Sequence, residues 1–103
     1  MATKKTTKKK TEKIDTMRMN QELRDKIAEN NDMLLFADGF DGAIVGITED
    51  CMHIVYDANK MIEILVKYEE MTYEDAVDYL GYNTFCAYVG ENTPIYINLI
   101  KDL

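Results

Sequence analysis

Residues 43–68 read AIVGITEDCMHIVYDANKMIEILVKY. Ala43 to Thr48 and Met52 to Tyr56 are two short runs of strand-forming residues, and Glu49 to Cys51 form the turn between them, so the spacing predicts a β-hairpin. Asp57 then stands where a helix cap belongs, because its carboxylate can accept the first free backbone N–H groups. A helix over roughly 58–68 follows. Ala58, Met61, Ile62, Leu65 and Tyr68 make its inward stripe, and Glu63–Lys67 supports its outer face.

On the N-terminal side, Asp38-Gly39-Phe40-Asp41-Gly42 is turn chemistry, with two glycines and two aspartates able to bond their own backbone. Met33 to Ala37 is a short apolar run that reads as a buried strand or extended segment. Residues 15–29 predict an amphipathic helix on Met19, Leu23 and Ile27, with Asp15 or Thr16 as its cap and Arg18–Glu22 and Glu22–Lys26 as i,i+4 pairs. Asn30, Asn31 and Asp32 end it. Its stripe is narrow, so it is placed at the periphery or against a second copy. Residues 1–13, MATKKTTKKKTEK, bury too little apolar surface to offset chain entropy and are read as a disordered basic tail.

On the C-terminal side, Thr72 caps a helix whose first turn carries Glu74 and Asp75, where the helix dipole favours acids. The helix ends near Gly81 or runs on toward Gly90 and Pro94, and the longer reading, 72–88, is preferred. Pro94 to Leu99 reads as a strand, with proline at its start. The expected architecture is one α+β domain over 14–103. A mainly antiparallel three-stranded sheet (43–48, 52–56, 94–99) would pack on two helices, with the first helix peripheral.

The charge is uneven. Residues 1–13 hold six of the twelve basic side chains and one of the nineteen acids, so they carry +5 while the rest of the chain carries −12. Such a body points to a basic partner rather than to phosphates. No run approaches a membrane span, and no apolar stretch follows the basic start as in a secretory signal. Two cysteines, Cys51 and Cys86, are read as reduced thiols in a cytoplasmic protein.

Few residues suggest chemistry. Asp38 and Asp41 could hold a hard cation, but their spacing of three differs from calcium-loop spacing, and turn formation explains both. Cys51, His53 and Cys86 fall one ligand short of a closed zinc site, and no Cys-x-x-Cys pair exists. A Cys–His nucleophile pair would need a base within hydrogen-bond reach, which strand spacing does not supply. No phosphate-cradling glycine pattern is present. No catalytic residue, metal ligand or cofactor is therefore expected. Tyr68, Tyr73, Tyr79, Tyr82 and Tyr88 are read as core or boundary residues. Lysines without interleaved aromatics or arginines carry no base readout, so nucleic acid is not expected except at the tail.

Four stretches, ADGFDGAIVG (37–46), VYD (55–57), MTYEDA (71–76) and AYVGENTPI (87–95), together resemble a group of small uncharacterised proteins of tailed bacteriophages and bacteria. The resemblance covers roughly residues 35–97, and Gly90-Glu91-Asn92-Thr93-Pro94 is its most distinctive part. It implies a phage-associated, cytoplasmic origin and carries over no catalytic residue. The leading expectation is a non-enzymatic interaction protein, an inhibitor or modulator that binds a basic protein surface. Its interaction surface is expected at Asp38, Phe40, Asp41, Glu69, Glu70, Glu74, Asp75 and Asp78. The alternatives are a small metal-dependent enzyme or metal-binding module on Asp38, Asp41 and His53, and a homo-oligomeric accessory protein seamed by the first helix. No membrane partner is expected.

Overall fold

The hairpin forms as its spacing requires. In the computed structural model, which describes residues 16–103, β1 (Ile44–Ile47) and β2 (Ile54–Asp57) pair antiparallel. The register shifts between Ile44 and Gly46, which marks a bulge at Val45. The turn is tied by the Thr48 hydroxyl donating to Asp50 at 2.6 Å and by Met52 N–H donating to the same carboxylate at 3.0 Å. These bonds hold the Asp50 carboxyl below its ordinary pKa, the Thr48 hydroxyl first. Cys51 sits in this turn in the left-handed region, at φ 62°. It therefore lies in the turn, as its place between the two runs predicts.

β2 is the central strand, and its inward residues Ile54 and Tyr56 are fully buried. It runs directly into α2 (Ala58–Tyr68), where the Asp57 side chain accepts from Asn59 and Lys60 N–H as expected. Met61, Ile62, Ile64 and Leu65 are buried, so the predicted stripe faces inward with Ile64 added. Burial of such a side chain contributes about 1.5–3 kcal/mol. The outer-face pair is Lys60–Glu63 at 3.5 Å rather than the expected Glu63–Lys67; Lys67 lies over the Tyr68 ring instead.

α3 (Tyr73–Asn83) is capped by the Thr72 side chain, which accepts from Asp75 N–H. It stops well short of the preferred boundary, and Gly81 lies inside it. Phe85 N–H folds back to the Leu80 carbonyl at 2.7 Å, and the Phe85 ring packs on Tyr96 with centroids 5.1 Å apart. That packing takes the chain out of helix. Only Ala76 and Leu80 of α3 are buried. Of the tyrosines read as core or boundary residues, Tyr68 is half-buried against the core; Tyr73, Tyr79 and Tyr82 lie off the Ala76–Leu80 contact stripe of α3 and are exposed, as is Tyr88 beyond the helix.

β3 (Ile95–Ile97) follows Pro94 and pairs with β2 in parallel, Val55 opposite Ile95 and Asp57 opposite Ile97. The sheet is thus mixed, in the order β1-β2-β3. Ile54 and Tyr56 of β2, Met61, Ile62, Ile64 and Leu65 of α2, and Ala76 and Leu80 of α3 belong to one core cluster.

α1 spans Gln21–Asn30 and is capped by Asn20, whose side chain accepts from Leu23 N–H at 3.0 Å. The helix starts later than the periodicity predicted because the backbone before it is engaged elsewhere. Met17 C=O accepts from Gly42 N–H at 2.8 Å, and Asn20 N–H donates to Asp41 at 2.7 Å. α1 is peripheral, as expected: Ile27 is its single buried residue, and it joins the shared core. Arg18 lies before the helix, so its expected pair with Glu22 is replaced by one with Glu69. Met33 lies in a turn and Leu34 to Ala37 joins no strand; of this run only Leu34 is buried, with Met33 and Leu35 exposed, and Ala37 N–H donates to the Tyr56 hydroxyl at 2.7 Å. The lysine tail and the Asp15 cap lie outside the described residues.

Candidate functional site

The Asp38–Gly42 loop, the end of α2, the end of α3 and the segment before β3 surround an open cleft of about 550 Å³. Its walls carry Phe36, Phe40, Leu65, Met71, Pro94 and Tyr96, and its polar groups are Arg18, Asp38, Glu69, Tyr79, Asn83 and Thr84. This size falls within the ~300–1,000 Å³ typical of ligand sites.

One side of the cleft is built on a buried ion pair. The Asp41 side chain is fully buried; its Oδ2 accepts from Arg24 Nε at 2.7 Å and its Oδ1 from Arg24 Nη2 at 2.9 Å. A fork-on-fork pair of this kind suits arginine and not lysine. The guanidinium also lies 4.3 Å from the centre of the Phe36 ring and gives a longer bond, 3.3 Å, to Asp38. The Asp41 hydrogen bond, ahead of other causes, raises the Arg24 pKa further. Asp38 itself stays at the rim with its side chain 88% exposed.

The other arginine closes a second side. Arg18 Nη2 donates to Glu69 at 3.0 Å, and its guanidinium lies over the Tyr68 ring at 5.4 Å. Gly39 has φ +93°, and a Cβ there would come within 3.4 Å of Arg18 Nε. Glycine at 39 thus permits both the turn and the close passage of Arg18. Arg18 Nε is buried without an acceptor.

Of the expected surface residues, the structure gathers Asp38, Phe40 and Glu69 at the cleft. Asp41 is removed from the surface, which corrects its assignment there: its carboxylate is consumed by Arg24 and Asn20. Phe40 is buried and serves as wall rather than exposed contact. Glu74 and Asp78 line a separate depression with Tyr73 and Val77. Glu70 and Asp75 are exposed at the α2–α3 connection and the α3 start. Comparison of the chain with family models, curated proteins and solved structures found no match. Among the described residues, no group of three or more His, Cys, Asp and Glu side chains could hold a metal ion, so Asp38, Asp41 and His53 do not converge. No helix among those residues is long and apolar enough to cross a membrane.

His53 has a structural partner: its Nδ1 lies 2.7 Å from the Thr93 carbonyl. Asn92 donates to the Met52 carbonyl at 2.8 Å, the Thr93 hydroxyl donates to Gly90 C=O at 2.6 Å, and Gly90 has φ +119°. The Gly90–Pro94 stretch is therefore a turn that fastens the start of β3 to the start of β2. Arg18, Arg24, Phe36, Tyr79 and Tyr96 were missed as site residues. A usable signal was present: these are the chain's only two arginines, against ten lysines, and arginine is the side chain suited to planar, two-bond capture of a carboxylate.

Proposed function

We propose that this chain is a non-enzymatic interaction protein, a cytoplasmic, phage-encoded inhibitor or modulator that binds a basic surface of a partner protein. The observation that carries this reading is the set of exposed side chains on α3. There Tyr73, Tyr79 and Tyr82 are exposed on the same helix as Glu74, Asp75 and Asp78. Exposed tyrosine is the side chain most at home in protein interfaces, being large, stiff and tipped with a hydroxyl. Acids interleaved with it select a partner of opposite charge and speed its approach. The body's −12 supports the same choice. A metal-dependent reading is disfavoured by the donor set, since Asp41 already serves Arg24 through both oxygens.

The test is affinity capture from host lysate with mass spectrometry, then measurement of the association rate with the recovered partner at low and high salt. The rate is expected to fall as salt rises, since exposed charges are screened beyond about 8 Å at physiological ionic strength. A rate independent of salt overturns the reading.

A further inference from the structure

We propose that the cleft beside the Asp38–Gly42 loop receives an arginine side chain from a basic segment of the partner, with Asp38 as its principal anchor. The inference rests on the basic-partner reading and adds its site and side chain. The chain already shows how this loop grips a guanidinium. Arg24 lies 4.3 Å from the centre of the Phe36 ring, is clamped by both oxygens of Asp41, and reaches Asp38 from the inner side. Those contacts leave the outer side of Asp38 to solvent, with the side chain 88% exposed.

Charge favours a cation despite the two arginines nearby. Arg24 is neutralised by Asp41 at 2.7 Å and Arg18 by Glu69 at 3.0 Å, which leaves Asp38 as the acid in excess. Aromatic walls select the kind of cation. Tyr79 and Tyr96 face the cleft with Asp38. A guanidinium can stack on such rings while it bonds a carboxylate in its plane, whereas an ammonium is a strongly hydrated point charge. Asp75, Tyr79 and Asn83 lie four residues apart on α3, on one helix face, so an acid continues the track beyond the cleft.

The test uses the full chain, labelled with ¹⁵N, at low ionic strength. It is titrated with N-acetylated tetra-arginine amide while amide shifts are followed. Saturable shifts are expected at Asp38, Asn83, Thr84 and Ala87. Asp38→Asn, checked for an unchanged melting temperature, should weaken binding about threefold, the effect of losing one exposed charge pair. Glu49→Gln, in the hairpin turn, should leave it unchanged. Equal affinity for tetralysine amide overturns the choice of arginine. Shifts scattered over Glu22, Glu49 and Asp102, or no effect of Asp38→Asn, overturn the cleft while leaving the basic-partner reading standing. No response to either cationic peptide counts against both. Preference for tetraglutamate amide overturns the proposal by making Arg18 the attractive group.

Discussion

Arg24 and Asp41 share a two-pronged hydrogen bond, Nε to Oδ2 at 2.7 Å and Nη2 to Oδ1 at 2.9 Å, with the carboxylate fully out of solvent. The partners stand seventeen positions apart in the chain. The bond fastens α1 to the loop that opens the cleft, and Asn20 N–H adds a third donor to the same carboxylate. Helix placement and cleft shape therefore depend on one carboxylate.

Asp41→Ala should cost about 3 kcal/mol, near the lower end for breaking a buried pair, because Arg24 can still reach some water. Arg24→Lys should recover only part of what Arg24→Ala loses, since an ammonium cannot make both bonds. Urea unfolding of the three variants checks this. A loss below about 1 kcal/mol for Asp41→Ala would show that the pair is dispensable.

Gly42→Ala should loosen the segment before α1. A Cβ at 42 would lie 2.7 Å from Met17 Cε and Sδ and 3.0 Å from Met17 Cα. Overpacking of this kind costs about 1–3 kcal/mol. Adding Met17→Ala should relieve the side-chain part and leave the crowding against the Met17 backbone. The readout is exchange of the Gly42 amide, which bonds to Met17 C=O at 2.8 Å; it should speed up in Gly42→Ala.

Leu65→Ala should be among the costly substitutions. Leu65 is 4% exposed and sits in the core cluster with Met61 and Leu80. Truncation of a buried leucine costs about 2–5 kcal/mol. A shift in the denaturation midpoint worth less than about 1 kcal/mol would contradict this burial.

Alkaline pH should destabilise the fold through Tyr56. Burial, ahead of other causes, raises its pKa above the ordinary value of about 10. Burial raises that of Tyr96 as well. The unfolded chain therefore releases these protons first. The stability involved is fully present below about pH 10 and is lost as pH rises from there toward the folded-state values. Tyr56→Phe should cost about 1–2 kcal/mol at neutral pH, because Ala37 N–H loses its acceptor. Its deficit relative to the parent should shrink above pH 10. A parallel loss in both proteins, followed by denaturant unfolding at stepped pH, would assign the alkaline effect elsewhere.

The features legible in the sequence alone are local ones. Asp57 and Thr72 cap their helices through backbone groups two or three residues away. The hairpin needs only two apolar runs and the turn residues between them, and the inward stripe of α2 needs only helical spacing. These choices depend on chain neighbours, whose distances are set by bond geometry before any folding. Where charges, helix ends and the last strand go was settled by the folded chain. Arg18 reaches Glu69 across 51 residues rather than the neighbouring Glu22, and Asp41 leaves the acidic surface for Arg24. Residues 16–20 give up helix for bonds to the Asp38–Gly42 loop. Phe85 ends α3 by packing on Tyr96, and β3 joins β2 in parallel. Each of these pairs residues far apart in the chain. A partner at 3 Å is chosen by which segments folding brings together, and spacing along the sequence carries no record of that.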